Sequence, residues 1–199
     1  YLLLLGWAPE GEQEIFSLDE MIKIWDPARI SKSPAIFDPL KLRAINAAYI
    51  RALPAEEFRR LADPFIDSAV HCDIDRDLLC ANLQPRCEVL EDIPPQLDFF
   101  DAVLPIDAEM YRNKKQKTTP ESAKEALTAL LPVLEAQTDW TRDAIFEACK
   151  TLAEQMEKKN GWLLFPLGIA LSGKARTPGG GTDLAAMMGK AETLKRVKD

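Results

Sequence analysis

The chain has 199 residues, of which 47% are hydrophobic and 29% are charged, a balance typical of a globular protein with a sizeable core and not of a disordered chain. The net charge of −7, taken alone, disfavours a nucleic-acid partner. The opening apolar run, Tyr1 to Trp7, is far shorter than the ~20 residues that a membrane-spanning helix needs, so we expect no membrane partner.

Helix signals follow one another through the first half of the chain. The run Ser17-Leu18-Asp19-Glu20 has the pattern of a capping box, and Asp38-Pro39 pairs an N-cap acceptor with a proline at the first helical position. Apolar residues then recur every three or four positions and predict one buried helix face. These residues are Leu42, Ile45, Tyr49 and Leu53. A further helix should begin at Pro54 and kink or break at Pro64, and another should span residues 75–83.

Helix signals also dominate the second half. Residues 92–106 hold three prolines and form the predicted junction between two subdomains. Thr119-Pro120 has the composition of a helix start, and Asn160-Gly161 should end the helix after that one. The last segment, from Asp183 to Val197, should form two short helices separated at Gly189. No run alternates long enough to predict a strand, so the sequence predicts an all-α fold.

The basic residues are unevenly distributed along the chain. Residues 1–104 have a charge balance of −9, whereas residues 105–199 have a balance of +2. Affinity for phosphate depends on the local basic surface, so an acidic total does not exclude RNA. A solvated charged face is the alternative interpretation. The two basic clusters are Arg112, Lys114, Lys115 and Lys117, and Arg176, Lys190, Lys195, Arg196 and Lys198.

No catalytic, metal or cofactor site is predicted. The segment from Gly168 to Lys174 has the spacing of a phosphate-binding loop, but the next residue is Ala175, which lacks the hydroxyl that would hold magnesium. His71 is the only histidine, so it has no second histidine with which to share a metal. The four cysteines form no CxxC pair, which favours reduced thiols in a cytoplasmic protein over a disulfide framework.

Short motifs occur in a fixed order along nearly the whole chain. They are the run Arg29 to Leu42, Trp140-Thr141, Ser172-Gly173-Lys174, Thr177-Pro178-Gly179-Gly180 and Gly189 to Leu194. In this order they resemble the C-terminal, tRNA-binding region of bacterial glutamyl-tRNA synthetase. The resemblance implies an all-α fold in which two small helical-bundle subdomains, of the class I anticodon-binding type, follow the end of a helical stem-contact region. These parts would be residues 1–50 for the stem-contact region, and residues 51–104 and 105–199 for the two subdomains.

The resemblance also implies that the chemistry lies outside this chain. The first residue is Tyr1 and not Met, and we expect a fragment of a longer protein. The parent would attach glutamate to tRNA-Glu with ATP and Mg²⁺ in a catalytic domain upstream. The fragment itself would only bind tRNA and would need no cofactor. We expect a cytoplasmic monomer whose partner is tRNA-Glu.

The resemblance assigns base recognition to Arg86 in the pair Pro85-Arg86. In the family, an arginine after this proline reads the third anticodon base. A guanidinium only donates hydrogen bonds, so it matches the O2 and N3 acceptors of cytosine and opposes the two donors of guanine. The glutamate and glutamine tRNAs carry C and G at this base, so Arg86 would make the protein reject tRNA-Gln. A surface arginine near a helix end is the alternative.

Further candidates for tRNA contact lie in the second half. The loop from Thr177 to Thr182 should lie near the anticodon, where its glycines allow close backbone approach; turn formation is the alternative role. The candidate anticodon contacts beside Arg86 are Lys174, Thr177 and Thr182. The candidate phosphate contacts are Arg112, Lys114, Lys115 and Arg176.

One position departs from the family pattern. Many members have an arginine directly after the proline and leucine that correspond to Pro166-Leu167, and it helps to read the first anticodon base. This chain has Gly168 there, so the contact must be lost or come from elsewhere. Two other classes of function remain open. A helical protein-interaction scaffold would show an exposed apolar face instead of a basic one, and a small enzyme would need a site that the residues do not reveal.

Overall fold

A computed structural model describes residues 1–199, and they form an all-α protein, as the sequence predicted. No strand is present, and none of the helices combines the length and apolarity needed to cross a membrane. The α-helices are α1 (Leu2–Gly6), α2 (Leu18–Ile24), α3 (Pro39–Ala52), α4 (Ala55–Asp67), α5 (Arg76–Leu83), α6 (Pro120–Ala136), α7 (Arg142–Gln155), α8 (Asn160–Ser172) and α9 (Gly181–Lys198). Short 3-10 turns lie at Pro27–Arg29, Gln84–Arg86, Leu90–Asp92, Pro94–Gln96 and Ala108–Tyr111.

Side-chain caps begin three of the helices at predicted residues. At α2, the Ser17 hydroxyl accepts a hydrogen bond from the Glu20 N–H at 3.2 Å, and the Glu20 carboxylate accepts one from the Ser17 N–H at 2.7 Å. At α3, the Asp38 carboxylate accepts from the Leu40 N–H at 2.9 Å. Thr119 caps α6 in the same way. Each cap satisfies donors that have no partner within the first helical turn, so the local sequence marks these starts.

Pro64 does not break α4, so of the two predicted outcomes, a kink or a break, the break is wrong. The helix continues through Pro64 to Asp67. Phe58, Ala62 and Ile66 lie on one face of α4 and are fully buried. Burying this face stabilises the helix by more than the backbone hydrogen bond that the proline removes.

The end of α7 also differs from the prediction. The helix ends at Gln155, and Glu157 adopts a left-handed conformation with a φ of 54°. The Lys158 N–H donates a hydrogen bond to the Ala153 carbonyl at 2.8 Å, which is the pattern of a C-terminal cap in which glycine is usual. Asn160 therefore begins α8 and does not end α7.

The buried face of α3 is narrower than predicted. Ile45 and Ile50 are buried, but Leu42 and Tyr49 are 38% and 40% exposed. The Tyr49 hydroxyl donates to the carbonyl of Phe16 at the edge of the N-terminal segment. Apolar spacing alone overestimated this face because a tyrosine can pack its ring while its hydroxyl stays near the surface.

One hydrophobic core joins the two predicted subdomains. It includes Phe58 and Leu79 from the first, Leu130 and Leu167 from the second, and Phe99 from the predicted junction. The junction is therefore packed into the core and is not an exposed linker. The boundary between the subdomains stays a prediction from the sequence.

The close crossing of α8 and α9 positions the loop between them. A Cβ atom on Gly181 would lie 2.7 Å from the Leu164 carbonyl oxygen and 3.0 Å from the Gly168 nitrogen, so this approach requires glycine. Gly173 ends α8 in a left-handed conformation with a φ of 69°. At Gly189 the backbone leaves the helical region, with a φ of 78°, and separates the two helices that the sequence predicted.

Candidate nucleic-acid interface

An open cleft of 590 Å³ lies between the 3-10 turn after α5, the exposed side of α7 and α8, and the α8–α9 loop. It brings together five of the residues that the sequence singled out: four from one short segment near the end of the chain, and Arg86 from the first half. These residues are Arg86, Lys174, Arg176, Thr177 and Thr182. Gly168, the position that departs from the family pattern, also lines the cleft.

Arg86 presents a free guanidinium to this cleft. It occupies the last position of the 3-10 turn Gln84–Arg86, and its side chain is exposed. It forms no ion pair with any acidic side chain of the protein. Its five N–H donors are therefore available to a ligand.

Lys174 is held by the predicted junction. Its ammonium pairs with the Asp98 carboxylate, donates to the Pro95 carbonyl at 2.9 Å and lies 6.0 Å from the centre of the Phe99 ring. Only 23% of its side chain is exposed. Lys174 thus ties the α8–α9 loop to the junction between the subdomains, and its contact with the anticodon stays a prediction.

Thr177 and Thr182 take part in the local structure of the loop. The Thr177 hydroxyl donates to the Gly179 carbonyl at 2.6 Å and closes a turn. Thr182 lies in the first turn of α9 and is buried. The Thr177 contact matches the turn-forming role that the sequence left open, whereas Thr182 lies in a helix. Direct tRNA contact by either residue stays a prediction.

The sequence reasoning missed a contact that fixes the other end of the loop. The Asp183 carboxylate accepts hydrogen bonds from the Gly180 N–H at 2.7 Å and from Arg142 Nε at 3.1 Å. Arg142 also lies over the Phe146 ring. Its hydrogen bond to Asp143 and, to a smaller extent, that to Asp183 raise the pKa of its guanidinium. An aspartate three residues after a helix start is a capping signal that could have revealed Asp183. Arg142 has no comparable signal because its partner is distant in the chain.

The first basic cluster does not line the cleft. Arg112 pairs with Glu109 at 2.7 Å, and this contact raises the pKa of the arginine and lowers that of the glutamate. Lys114 and Lys115 are exposed. Gln116, the next residue after Lys115, lines the cleft.

The second basic cluster does not form an open basic surface. Arg196 is buried, and its guanidinium donates to the carbonyls of Phe99, Phe100 and Leu171 at 2.6–2.7 Å. The lysines also bind protein groups. Lys190 donates to the carbonyls of Glu135 and Gln137. Lys195 pairs with the Glu192 carboxylate, and Lys198 pairs with the Glu135 carboxylate. Of this cluster only Arg176 is exposed without an acidic partner.

The cysteines are all unpaired, as the sequence predicted. Burial raises the pKa of Cys80 and Cys87 to about 11 and that of Cys149 to about 12. At neutral pH these three side chains are therefore protonated and behave as small apolar residues of the core.

A family model matches most of this helical chain and includes every residue that lines the cleft. The model described as the anticodon binding domain matches residues 42–199. The chain belongs to this family of anticodon-binding domains.

Over its whole length the chain is similar to glutamate–tRNA ligases. It is 45% identical over 198 residues to that of Clostridium botulinum strain Hall and 42% identical over 199 residues to that of Clostridium acetobutylicum. Each match covers 100% of this chain and 41% of the relative. The chain therefore spans about two fifths of the length of the curated relatives that it matches. The resemblance to bacterial glutamyl-tRNA synthetase is confirmed.

Solved structures show the same similarity. A glutamate tRNA ligase from Elizabethkingia meningosepticum, solved in complex with its amino acid, superposes with a TM-score of 0.83 at 27% identity, over 98% of this chain and 38% of that one. The glutamate-tRNA synthetase from Elizabethkingia anophelis gives a TM-score of 0.79 at 24% identity, which supports the fold alone.

The exposed apolar residues do not favour an interaction scaffold built on the matched domain. Almost all of the large ones lie between Leu2 and Tyr49. Within residues 42–199 the only large apolar residues that are exposed are Leu42, Tyr49, Val103 and Ile106, each by 37–40%. The matched domain thus offers a basic cleft and no broad apolar face.

Proposed function

We propose that this chain binds tRNA-Glu by its anticodon, as part of a glutamate–tRNA ligase that attaches glutamate to this tRNA with ATP and Mg²⁺. We propose further that the protein works as a monomer in the cytoplasm. The observation that carries the proposal is the exposed, unpaired guanidinium of Arg86 in the same cleft as the α8–α9 loop. Membership of the anticodon-binding family and the similarity to glutamate–tRNA ligases support it.

Arg86 would read the third anticodon base. An unstacked cytosine shows O2 and N3 lone pairs on its Watson–Crick edge, and a guanidinium can donate to both. A guanine shows two N–H donors there, which a donor-only side chain cannot satisfy. In DNA readout, one bidentate contact of this kind is worth about 1–3 kcal/mol. We therefore propose that Arg86 selects tRNA-Glu, with C, over tRNA-Gln, with G.

The surroundings of Arg86 suit an RNA loop. Phe146 and Phe165 line the cleft and offer aromatic surface on which unpaired bases can stack. The start of α9 also lines it, and the helix dipole adds partial positive charge there. We propose that Arg176 contacts phosphates at the cleft. Arg112, Lys114 and Lys115 would do so outside it.

Gly168 leaves the first anticodon base without an arginine contact from α8. A Cβ atom on Gly168 would lie 3.8 Å from Gly181, an ordinary van der Waals distance, so packing does not require glycine here. We propose that this position carries no base recognition in this protein.

The test is a comparison of two transcripts: tRNA-Glu and the same tRNA with guanine as the third anticodon base. The wild-type chain should bind the cytosine form about tenfold more tightly, in line with one bidentate base contact. Arg86→Gln should lose this preference. Arg51 is another exposed arginine without an ion pair, outside the cleft, so Arg51→Gln is the matched control and should keep it. Equal binding of both transcripts by the wild type, or an unchanged preference in Arg86→Gln, would contradict the proposal.

A further inference from the structure

The position of Arg86 depends on its backbone. Its side chain forms no ion pair or hydrogen bond within the protein, so the turn Gln84–Arg86 alone sets the point from which the guanidinium reaches the cleft. A base contact requires the donors to lie within a few tenths of an ångström of their target. Whatever holds the turn Gln84–Arg86 therefore controls how well Arg86 can recognise a base.

Gln84 anchors this turn to the end of α3. Its side-chain amide donates to the Ile50 carbonyl at 3.0 Å and to the Leu53 carbonyl at 2.8 Å. Both of its N–H donors are thus used at the C-terminus of α3, where helix carbonyls lack full helical partners. The Leu53 carbonyl accepts from Gln84, and the Ile50 carbonyl accepts from both Gln84 and the Leu53 N–H, the latter at 3.2 Å. Ile50 is itself buried in the hydrophobic core, so the anchor point is rigid.

Further contacts fix the chain just after Arg86 to the same helix. Asn46 donates from its side-chain amide to the Glu88 carbonyl at 2.6 Å. Arg43 pairs with the Glu88 carboxylate at 2.8 Å and with Asp92. α3 thus holds the chain before and after Arg86. Of these contacts, only the pair made by Gln84 lies within the turn itself.

We propose that Gln84 is a positioning residue for base recognition by Arg86. It holds the turn at a fixed distance from α3, so that the guanidinium meets the base edge without a search over turn positions. The inference rests on the proposed function of Arg86. It predicts that Gln84 affects discrimination between bases, and not the general affinity for tRNA.

The test uses Gln84→Met, which keeps the length of the side chain but removes both donors. The two transcripts with cytosine and guanine as the third anticodon base serve as probes. The preference for cytosine should fall about tenfold, as for a misplaced contact of this kind, while affinity for the guanine transcript changes by less than about twofold. Both transcripts are measured on the same preparation, so a partly unfolded sample cancels from the ratio.

A matched control and a double variant separate positioning from stability. Gln137 also donates from its side chain to a backbone carbonyl, that of Asp139 at 2.9 Å, but lies outside the cleft, so Gln137→Met should keep the full preference. In an Arg86→Gln background, Gln84→Met should have no further effect on either transcript, because the two residues act through one contact.

Three results would overturn the inference. A full preference in Gln84→Met would show that the turn keeps its position without this anchor. Equal losses on both transcripts, in Gln84→Met alone or on top of Arg86→Gln, would show that Gln84 supports folding only. No preference in the wild type, or a preference that survives Arg86→Gln, would overturn the proposed function of Arg86 as well, so the two failures are distinguishable.

Discussion

Replacing Arg196 with methionine should destabilise the chain far more than the same change at a neighbouring surface lysine. Arg196 is 5% exposed, and methionine fills much of its volume without any donor. The carbonyls of Phe99, Phe100 and Leu171 would lose their bonds. Glu192 would lose its partner at 2.7 Å. The change therefore leaves several polar groups unpaired where water has little access.

The expected loss can be worked from these contacts. Removing one partner of a buried charged network costs about 3–5 kcal/mol. For a chain of this size, 1 kcal/mol corresponds to about 2–4 °C in Tm, so Arg196→Met should melt about 10 °C lower. Arg196→Lys should recover only part of the loss, because a compact ammonium cannot bond all three carbonyls as the planar guanidinium does.

Lys195 provides the matched control. It is 68% exposed and pairs with the same Glu192 carboxylate at 3.5 Å, so Lys195→Met removes the same charge without unpairing a buried carbonyl. Its effect should stay within about 0.5 kcal/mol. The assay is urea and thermal unfolding of the three variants and the wild type, followed by circular dichroism. Equal stability of Arg196→Met and Lys195→Met would refute the role assigned to the buried guanidinium.

At the α8–α9 crossing, Gly181→Ala should lower the free energy of unfolding by about 1–3 kcal/mol, because the new Cβ would lie 2.7 Å from the Leu164 carbonyl oxygen. Gly168→Ala should leave this free energy nearly unchanged, and similar unfolding midpoints for the two variants would contradict the prediction. The Asp101 carboxylate accepts bonds from the His71 ring and backbone, which hold its pKa below its usual range. This stabilisation is present above the unfolded pKa of about 4 and is lost as the pH falls towards the folded value. The stability of Asp101→Asn should therefore fall less than that of the wild type as the pH is lowered below about 5. The same pH dependence of stability in both proteins would contradict this role of Asp101. Affinity for tRNA should fall at least about tenfold between about 50 and 200 mM salt; a flat response would exclude the proposed phosphate contacts.

Helix starts could be predicted from the sequence because their causes are local. Ser17, Asp38 and Thr119 each sit within three residues of the donors that they satisfy. Ends were harder. α7 ends where Glu157 adopts a conformation that its residue type does not indicate, and α4 continues past Pro64 because tertiary packing outweighs the proline.

The candidate site was predictable in part. The resemblance placed Arg86 and the α8–α9 loop together, and the structure brings both to one cleft. The roles of Lys174 and Arg196 were hidden because each binds a backbone carbonyl more than 70 residues away in the chain, that of Pro95 for Lys174 and that of Phe99 for Arg196. A count of basic residues treats both as surface charge, whereas long-range packing turns them into internal contacts.

The most direct test of Arg86 alters one atom of its ligand. A tRNA-Glu carrying 3-deazacytidine as the third anticodon base keeps the shape of cytosine but lacks the N3 acceptor. The wild-type chain should bind it about fivefold to tenfold more weakly than unmodified tRNA-Glu, and Arg86→Gln should bind the two equally. An undiminished affinity in the wild type, or the same loss in Arg86→Gln, would contradict the claim that the guanidinium recognises the lone pairs of this base.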